Sequence, residues 1–339
     1  MSISHQLGWW TVASFMAWFF GSFYYQGLGI TLGYHRLLTH KSLRLPRWLM
    51  YVIVAGGYFC LMGSPIVWVG VHRLHHQKSD QPGDPHSPND GFWHAMFGWM
   101  TKMRGVQTDE ELQRAAGELM ADPFFRVLGT EHKAYQAALC LGVNIIARVA
   151  LFFAFGWVAL LANVAATLTV FIGTQMVNAV CHLQSAGYRL YDTREDSRNV
   201  WYVAMLTLGE GWHNNHHAMP KSARHGMAWW EFDLTWVSIW LLEKVGLARN
   251  IIRPTEHRQQ RFHRVPLHAM PAASMASLAP SMAAMMENVV DNVTATMDNV
   301  VDNVTATMDN VTASIPPVVQ QVQHAVGAQQ VVQSGASKG

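Results

Sequence analysis

The chain has 339 residues, half of them hydrophobic, with only 14% charged residues and 14 tryptophans, which is too apolar a balance for an ordinary soluble domain. The formal net charge is +2, or +6 before residue 266 because the remainder holds five acids and one base; the excess suits a protein lying against anionic membrane lipid, and the lack of a basic run interleaved with aromatics argues against nucleic acid as a partner. The three scattered cysteines, Cys60, Cys140 and Cys181, exclude a disulfide framework and a CxxC redox or zinc site.

Uncharged stretches of membrane length run over residues 9–30 and 48–70. The first lacks the basic flank and small-residue cleavage site of a signal peptide and is expected to form a membrane helix leading into His35-Arg-Leu-Leu-Thr-His40. The second leads into His72-Arg-Leu-His75-His76. If it crossed, the two histidine boxes would lie about 30 Å apart on opposite faces, so it is expected to enter or lie along the membrane without crossing. Gly56, Gly57, Gly63 and Pro65 make it a poor straight helix.

A longer apolar stretch, 134–180, is interrupted by a single charge, Arg148, and is long enough for two crossings with a turn at Gly156 and Trp157. Such a hairpin returns the chain to its starting face, where His182 and then His213-Asn-Asn-His216-His217 follow. Lys41, Arg44, Arg47, Arg73, Lys78, Arg104 and Arg114 fall on that face and mark it as cytoplasmic. The aromatic segment 229–247 carries Glu231, Asp233, Glu243 and Lys244 and is expected to form an interfacial amphipathic helix. Residues 1–265 thus read as one domain. From Pro266 an 11-residue repeat (MENVVDNVTAT, MDNVVDNVTAT, MDNVTAS) of weak helix formers predicts a disordered or weakly helical tail over 266–339.

On an α-helix, the i, i+3, i+4 spacing of each HxxHH box gathers three imidazoles within an arc of about 100°. With His35, His40 and His182 they make nine, more than one tetrahedral zinc uses and suited to two metals of four or five ligands each. A lone histidine such as His5, His132 or His257 reads as a surface or interfacial residue instead. The fold class expected is all-α: an integral-membrane helical bundle with a cytoplasmic helical cap holding a histidine-ligated pair of metals.

These residues resemble the membrane fatty acid desaturase family, and within it the delta-9 type. The resemblance rests on GITLGYHRLLTH, GSPIVWVGVHRLHH, DPH at 84–86, GFW and GW, VNAVCH, and GEGWHNNHHAMP, and covers roughly residues 10–255. It implies an O2-dependent di-iron enzyme that places a cis double bond, at delta-9, in a saturated chain carried on CoA, an acyl-carrier protein or a glycerolipid. By the same resemblance His35, His40, His72, His75, His76, His182, His213, His216 and His217 are iron ligands, and Asn178 approaches one iron through water. Glu210, Asp84 and His86 are implied to hold the ligand imidazoles in place, and Trp68 and Thr174 to line the bend of an acyl tunnel. Two positions depart from the family: only eight residues precede Trp9, where a further membrane helix is usual, and Met96 stands where a histidine is usual, with His94 nearby.

The chemistry agrees with a metal-oxygen oxidant, because an unactivated methylene offers neither an acidic proton nor an electrophilic carbon to side-chain catalysis. No His-Pro-Gly-Gly haem motif or cysteine cluster occurs, so electrons must come from a separate donor, such as a ferredoxin or a cytochrome b5-like protein with its reductase. A membrane di-iron hydroxylase of fatty acids, alkanes or carotenoids would use the same boxes. A zinc or copper transport or storage protein would want ionisable groups along a path through its spans, where this chain offers only Arg148.

Overall fold

The computed structural model describes residues 3–102, 106, 108–129 and 134–254. The repeat tail and Arg104 lie outside these. Among the described residues the fold is all-helical, with isolated bridge pairs in place of strands. In chain order it comprises α1 (Ile3–Leu28), a π-helical segment (Gly29–Thr39), α2 (Arg47–Phe59), α3 (Pro65–Lys78), a second π turn (His94–Gly98), α4 (Trp99–Lys102), α5 (Asp109–Met120), α6 (Pro123–Val127), α7 (Ala134–Val180), α8 (Trp201–Leu206), α9 (His213–Ala218) and α10 (Leu234–Lys244).

The stretch 134–180 is the hairpin that its composition predicts. Gly156, at φ 82° and ψ −178°, takes a backbone conformation open to a residue without Cβ. Across that break Arg148 Nη2 donates to Thr167 Oγ1 at 2.7 Å, so the two limbs run back along each other. Among the described residues this is the one helix long and apolar enough to cross a membrane, and only 11% of its most apolar stretch is buried. A core helix would be covered; this one presents its side chains outward, as lipid requires. α1 packs along it, with Asn163 Nδ2 donating to Ser22 Oγ at 3.0 Å and Thr167 Oγ1 to Gln26 Oε1 at 2.9 Å. The 26 residues of α1 rise about 39 Å, and Trp9, Trp10 and Phe20 stand exposed along it.

The run 48–70 is broken, as its glycines and proline suggest. α2 ends at Phe59, Leu61 and Gly63 take positive φ of 65° and 71°, and α3 starts afresh at Pro65. The 13 residues of α2 rise about 20 Å, short of a hydrocarbon core of roughly 30 Å. Its last carbonyls, orphaned in any helix, are met from the hairpin: Asn144 Nδ2 donates to Tyr58 O at 3.0 Å and Arg148 Nη2 to Phe59 O at 3.2 Å. Ser64 caps α3 by accepting from Ile66 N at 3.2 Å, with Pro65 in the first turn.

The expected interfacial helix over 229–247 needs correction. The helix spans only Leu234–Lys244, and Asp233 is its N-cap, accepting from Trp236 N at 2.8 Å. Glu231 and Asp233 face inward rather than toward an interface, both about 4% exposed. They are tolerated there because each is saturated with donors: Arg36 on Asp233, and Asn199, Asn215 and the Met227 and Ala228 amides on Glu231.

Candidate metal centre

His35 and His40 lie on the π segment. Five residues apart on an α-helix they would point about 140° from each other, but the wider turn closes with His40 N donating to His35 O at 3.1 Å, the π-type i to i+5 bond. Both rings therefore share a face, their centroids 4.7 Å apart. α3 carries His72, His75 and His76 and α9 carries His213, His216 and His217, each box spread over one helical face; His182 stands just past the end of α7.

These elements bring the nine histidines into two groups. His35, His40, His72, His76 and His216 form one; His75, His182, His213 and His217 form the other; within each, the candidate ligand nitrogens all lie within 4.8 Å of one another. In the first group the Nε2 atoms of the pairs His35–His216, His40–His35 and His76–His72 are 3.1 Å apart, and those of His216–His76 are 3.0 Å apart. In the second, His213–His182 and His217–His213 stand at 3.0 and 3.1 Å. Two imidazole nitrogens bound at right angles to one ion, at about 2.1 Å each, would sit about 3.0 Å apart.

Hydrogen bonds among the histidines do not account for this packing. His75 Nδ1 donates to Asp84 at 2.9 Å and His182 Nδ1 to Asp80 at 2.8 Å, while His35 Nδ1 lies 2.6 Å from Glu210 and His217 Nδ1 3.5 Å from Glu195. With the proton on Nδ1, a neutral imidazole presents a bare lone pair at Nε2. His35 Nε2, with its single lone pair, has both His40 and His216 Nε2 at 3.1 Å, and such convergence of ring nitrogens on one point is a donor set that fits two metal ions with nitrogen preference.

Electrostatics holds the rings neutral. Burial, then neighbouring imidazoles, pushes His40, His72, His76, His213, His216 and His217 well below the ordinary histidine range. The carboxylates go the other way: burial opposes their charge, but Arg36, His225 and His35 hold Glu210 well below its usual range, and His75 and His86 do the same for Asp84.

Sequence reasoning places Glu210, Asp84 and His86 beside the boxes, and so does the fold, with the His86 ring 4.2 Å from that of His75. It misses four residues. Arg36 is fully buried and grips Glu210 and Asp233; Asp80 and Glu195 face His182 and His217; His225 lies 3.2 Å from Glu210 and 4.5 Å, ring to ring, from His216. Asp80, at the end of the second box and four residues before Asp84, was the one with a local signal. His94 turns to Pro85 O at 3.1 Å and joins neither group, and Met96 is buried.

A narrow cleft meets the groups from the apolar side. Gly27, Ile30, Val170, Thr174 and Leu206 line it, and His35, His72, His213, Asn178 and Glu210 form its polar end. Trp68, stacked on His72 at 5.0 Å, borders this cleft and also a second, wider pocket lined by Met62, Val67, Val71 and Met100. Asn178 thus shares the cleft with His213 without belonging to either histidine group.

Residues 7–251 match the family model of fatty acid desaturases. The chain belongs to the fatty acid desaturase family. It is 42% identical over 241 residues to the sn-1 stearoyl-lipid 9-desaturase of Anabaena variabilis, covering 71% of this chain and 82% of that one. It is 41% identical over 231 residues to the protein of the same name from Synechocystis, covering 68% and 69%. An acyl-CoA 5-desaturase of Anemone leveillei is 39% identical over 236 residues, covering 69% and 70%. This desaturase is accordingly an oxidoreductase of acyl lipids, and its histidine groups and apolar cleft lie wholly inside the matched region.

Proposed function

We propose that this desaturase is an O2-dependent di-iron enzyme that places a cis double bond, at delta-9, into a saturated acyl chain esterified to a membrane glycerolipid, working on the cytoplasmic face. The observation that carries the reading is the abutment of two groups of facing Nε2 lone pairs on the end of an apolar cleft. The names borne by the cyanobacterial relatives favour a lipid-linked stearoyl chain over the CoA ester named for the plant relative.

Bound there, two irons with O2, two electrons and two protons supply the oxidant that takes one hydrogen from each of two adjacent carbons, yielding the alkene and two waters. The protein's own part is placement. Trp68 and Thr174 bend the chain, and their position relative to His35, His72 and His213 sets which carbons meet the centre. Asp80, Asp84, Glu195 and Glu210 hold the Nδ1 side of their histidines and keep the Nε2 lone pairs aimed inward, while Asn178 is placed to hold a water beside the second group. A separate ferredoxin or cytochrome b5-like protein supplies the electrons.

Expression in a host unable to make unsaturated fatty acids, with mass spectrometry of its lipids, tests this. The intact chain should yield monounsaturated lipid and His216→Ala none. A hydroxylated product would make it a hydroxylase, and unsaturation that survived the substitution would displace the assigned centre. Asp84→Asn should leave the fold intact but weaken iron retention about 10–100-fold, read as faster iron loss to a chelator.

A further inference from the structure

Trp68 is the one residue that lines both the narrow cleft beside the histidines and the second, wider pocket. That pocket lies between α3 and the first turns of α7, which contribute Gln136, Cys140 and Leu141 to its wall. We propose that it admits the ester end of a membrane glycerolipid sideways from the bilayer, and that the Gln136 side-chain amide holds the ester carbonyl and so sets which carbons reach the histidines. The inference deepens the reading above and rests on it.

Gln136 is an amide without a partner among the described residues, and its Oε1 is buried, whereas a buried amide ordinarily has its hydrogen bonds met. Its NH2 group can donate to a carbonyl oxygen. The depth suits an ester. The first limb of α7, residues 134–155, rises about 33 Å, a match to a hydrocarbon core of roughly 30 Å, so Gln136 in its first turn lies where acyl chains meet their glycerol. Leu61 and Leu141 line the pocket and are also 37% and 54% exposed, which makes its edge continuous with the surface that faces lipid. None of the lining residues is charged, so the pocket offers nothing to the phosphates of CoA or of a carrier protein's phosphopantetheine arm.

The spacing agrees with a bond at delta-9. Gln136 and Ser64 meet at Gly129: Ser64 Oγ donates to Gly129 O, and a Cβ built on Gly129 would stand 2.2 Å from Gln136 Oε1 and 3.3 Å from Ser64 Cβ. The Gln136 amide therefore sits level with the start of α3. His72 stands eight residues beyond Ser64 on that helix, about 12 Å along its axis, with Trp68 halfway. Eight bonds separate an ester carbon from C9, and at about 1.25 Å of rise each they span about 10 Å. A hydrogen bond of about 3 Å to the amide takes up the rest.

The test expresses the intact chain, Gln136→Leu and Gln136→Asn in the host unable to make unsaturated fatty acids, and reads double-bond position in its lipids by mass spectrometry of dimethyl disulfide adducts. Gln136→Leu keeps the volume but removes the donor; it should cut product by up to about tenfold and spread the double bond over neighbouring positions, with iron per chain unchanged. Gln136→Asn draws the amide back by one methylene and should move part of the product by one position, a shift that loss of packing alone does not produce. In a second arm the purified, iron-loaded full chain with reduced ferredoxin should desaturate nanodiscs of distearoylphosphatidylcholine and leave stearoyl-CoA, offered in nanodiscs of diphytanoyl lipid, unchanged. Intact amount and position of product in both variants would overturn the anchor, as would desaturation of stearoyl-CoA in preference to the lipid. If the intact chain itself yields no unsaturated lipid, the proposed function falls; if it does and both variants match it, only the Gln136 assignment falls.

Discussion

Arg36→Ala is expected to destabilise the folded chain by about 3–5 kcal/mol, the usual cost of removing one partner from a buried ion pair. The guanidinium is fully buried and uses all five of its N–H donors: Nε and Nη2 on Glu210 at 3.1 and 3.0 Å, Nη1 and Nη2 on Asp233 at 3.0 Å each, and Nη1 on Ala223 O at 2.8 Å. Truncation leaves two carboxylates charged, buried and short of a counter-ion. Both have further duties, Glu210 beside His35 and His225, and Asp233 as the cap of α10. The damage therefore reaches both the first histidine group and the helix packed under it. Against a total stability of roughly 5–15 kcal/mol, the loss should lower the thermal midpoint in detergent by on the order of 10 °C and cut bound iron. Arg36→Lys keeps the charge but not the planar fork that serves two carboxylates at once, and should fall between. A midpoint within a degree of the intact chain for Arg36→Ala would show that Glu210 is held by something else.

The contrast between what spacing revealed and what it hid follows from how far each residue's role depends on distant chain. The six histidines of the two HxxHH boxes are legible because i, i+3, i+4 is a local geometric statement, true on any α-helix. The break in 48–70 and the turn at Gly156 were legible for the same reason, since glycine and proline act on their own backbone. The i, i+5 spacing of His35 and His40 carried a further local message, a π turn, that α-helical reasoning overlooked. Arg36, Glu195, His225 and Glu231 carry no such message, and Asp233 only a faint one. Glu195 sits in Arg194-Glu195-Asp196, which reads as a solvated charge run, and only its approach to His217 from 22 residues away gives it a role. Glu231 and Asp233 were misread because charges among tryptophans look amphipathic; their burial depends on Arg36 and Asn215, nearly 200 and 16 residues upstream. Asp233 alone left a trace, an aspartate directly before a helix-forming run.

Gly29→Ala should separate the first histidine group from the frame that orients it. A Cβ built on Gly29 would stand 2.0 Å from Gly57 N and 2.3 Å from Gly56 C, contacts with backbone that no rotamer change relieves. The start of the π segment and α2 therefore touch backbone to backbone, a packing that small residues alone permit. Overpacking of this kind costs about 1–3 kcal/mol, and more where backbone must move. The displacement has a direction. His35 and His40 ride on the segment that Gly29 begins, and Tyr34 of that segment donates to Gly63 O at 2.8 Å in the turn leading to α3, so pushing α2 away shifts box one relative to box two. The second group takes none of its histidines from the π segment. On the proposed two-iron centre, iron should accordingly fall from two per chain toward one, with unsaturated product lost. Gly21→Ala, on the preceding α1 and with nothing within 4 Å of the added Cβ, is the matched control and should be neutral or stabilise by about 0.5–1 kcal/mol. Equal iron content and equal product from the two variants would mean that the Gly29 contact does not set the position of the first histidine box.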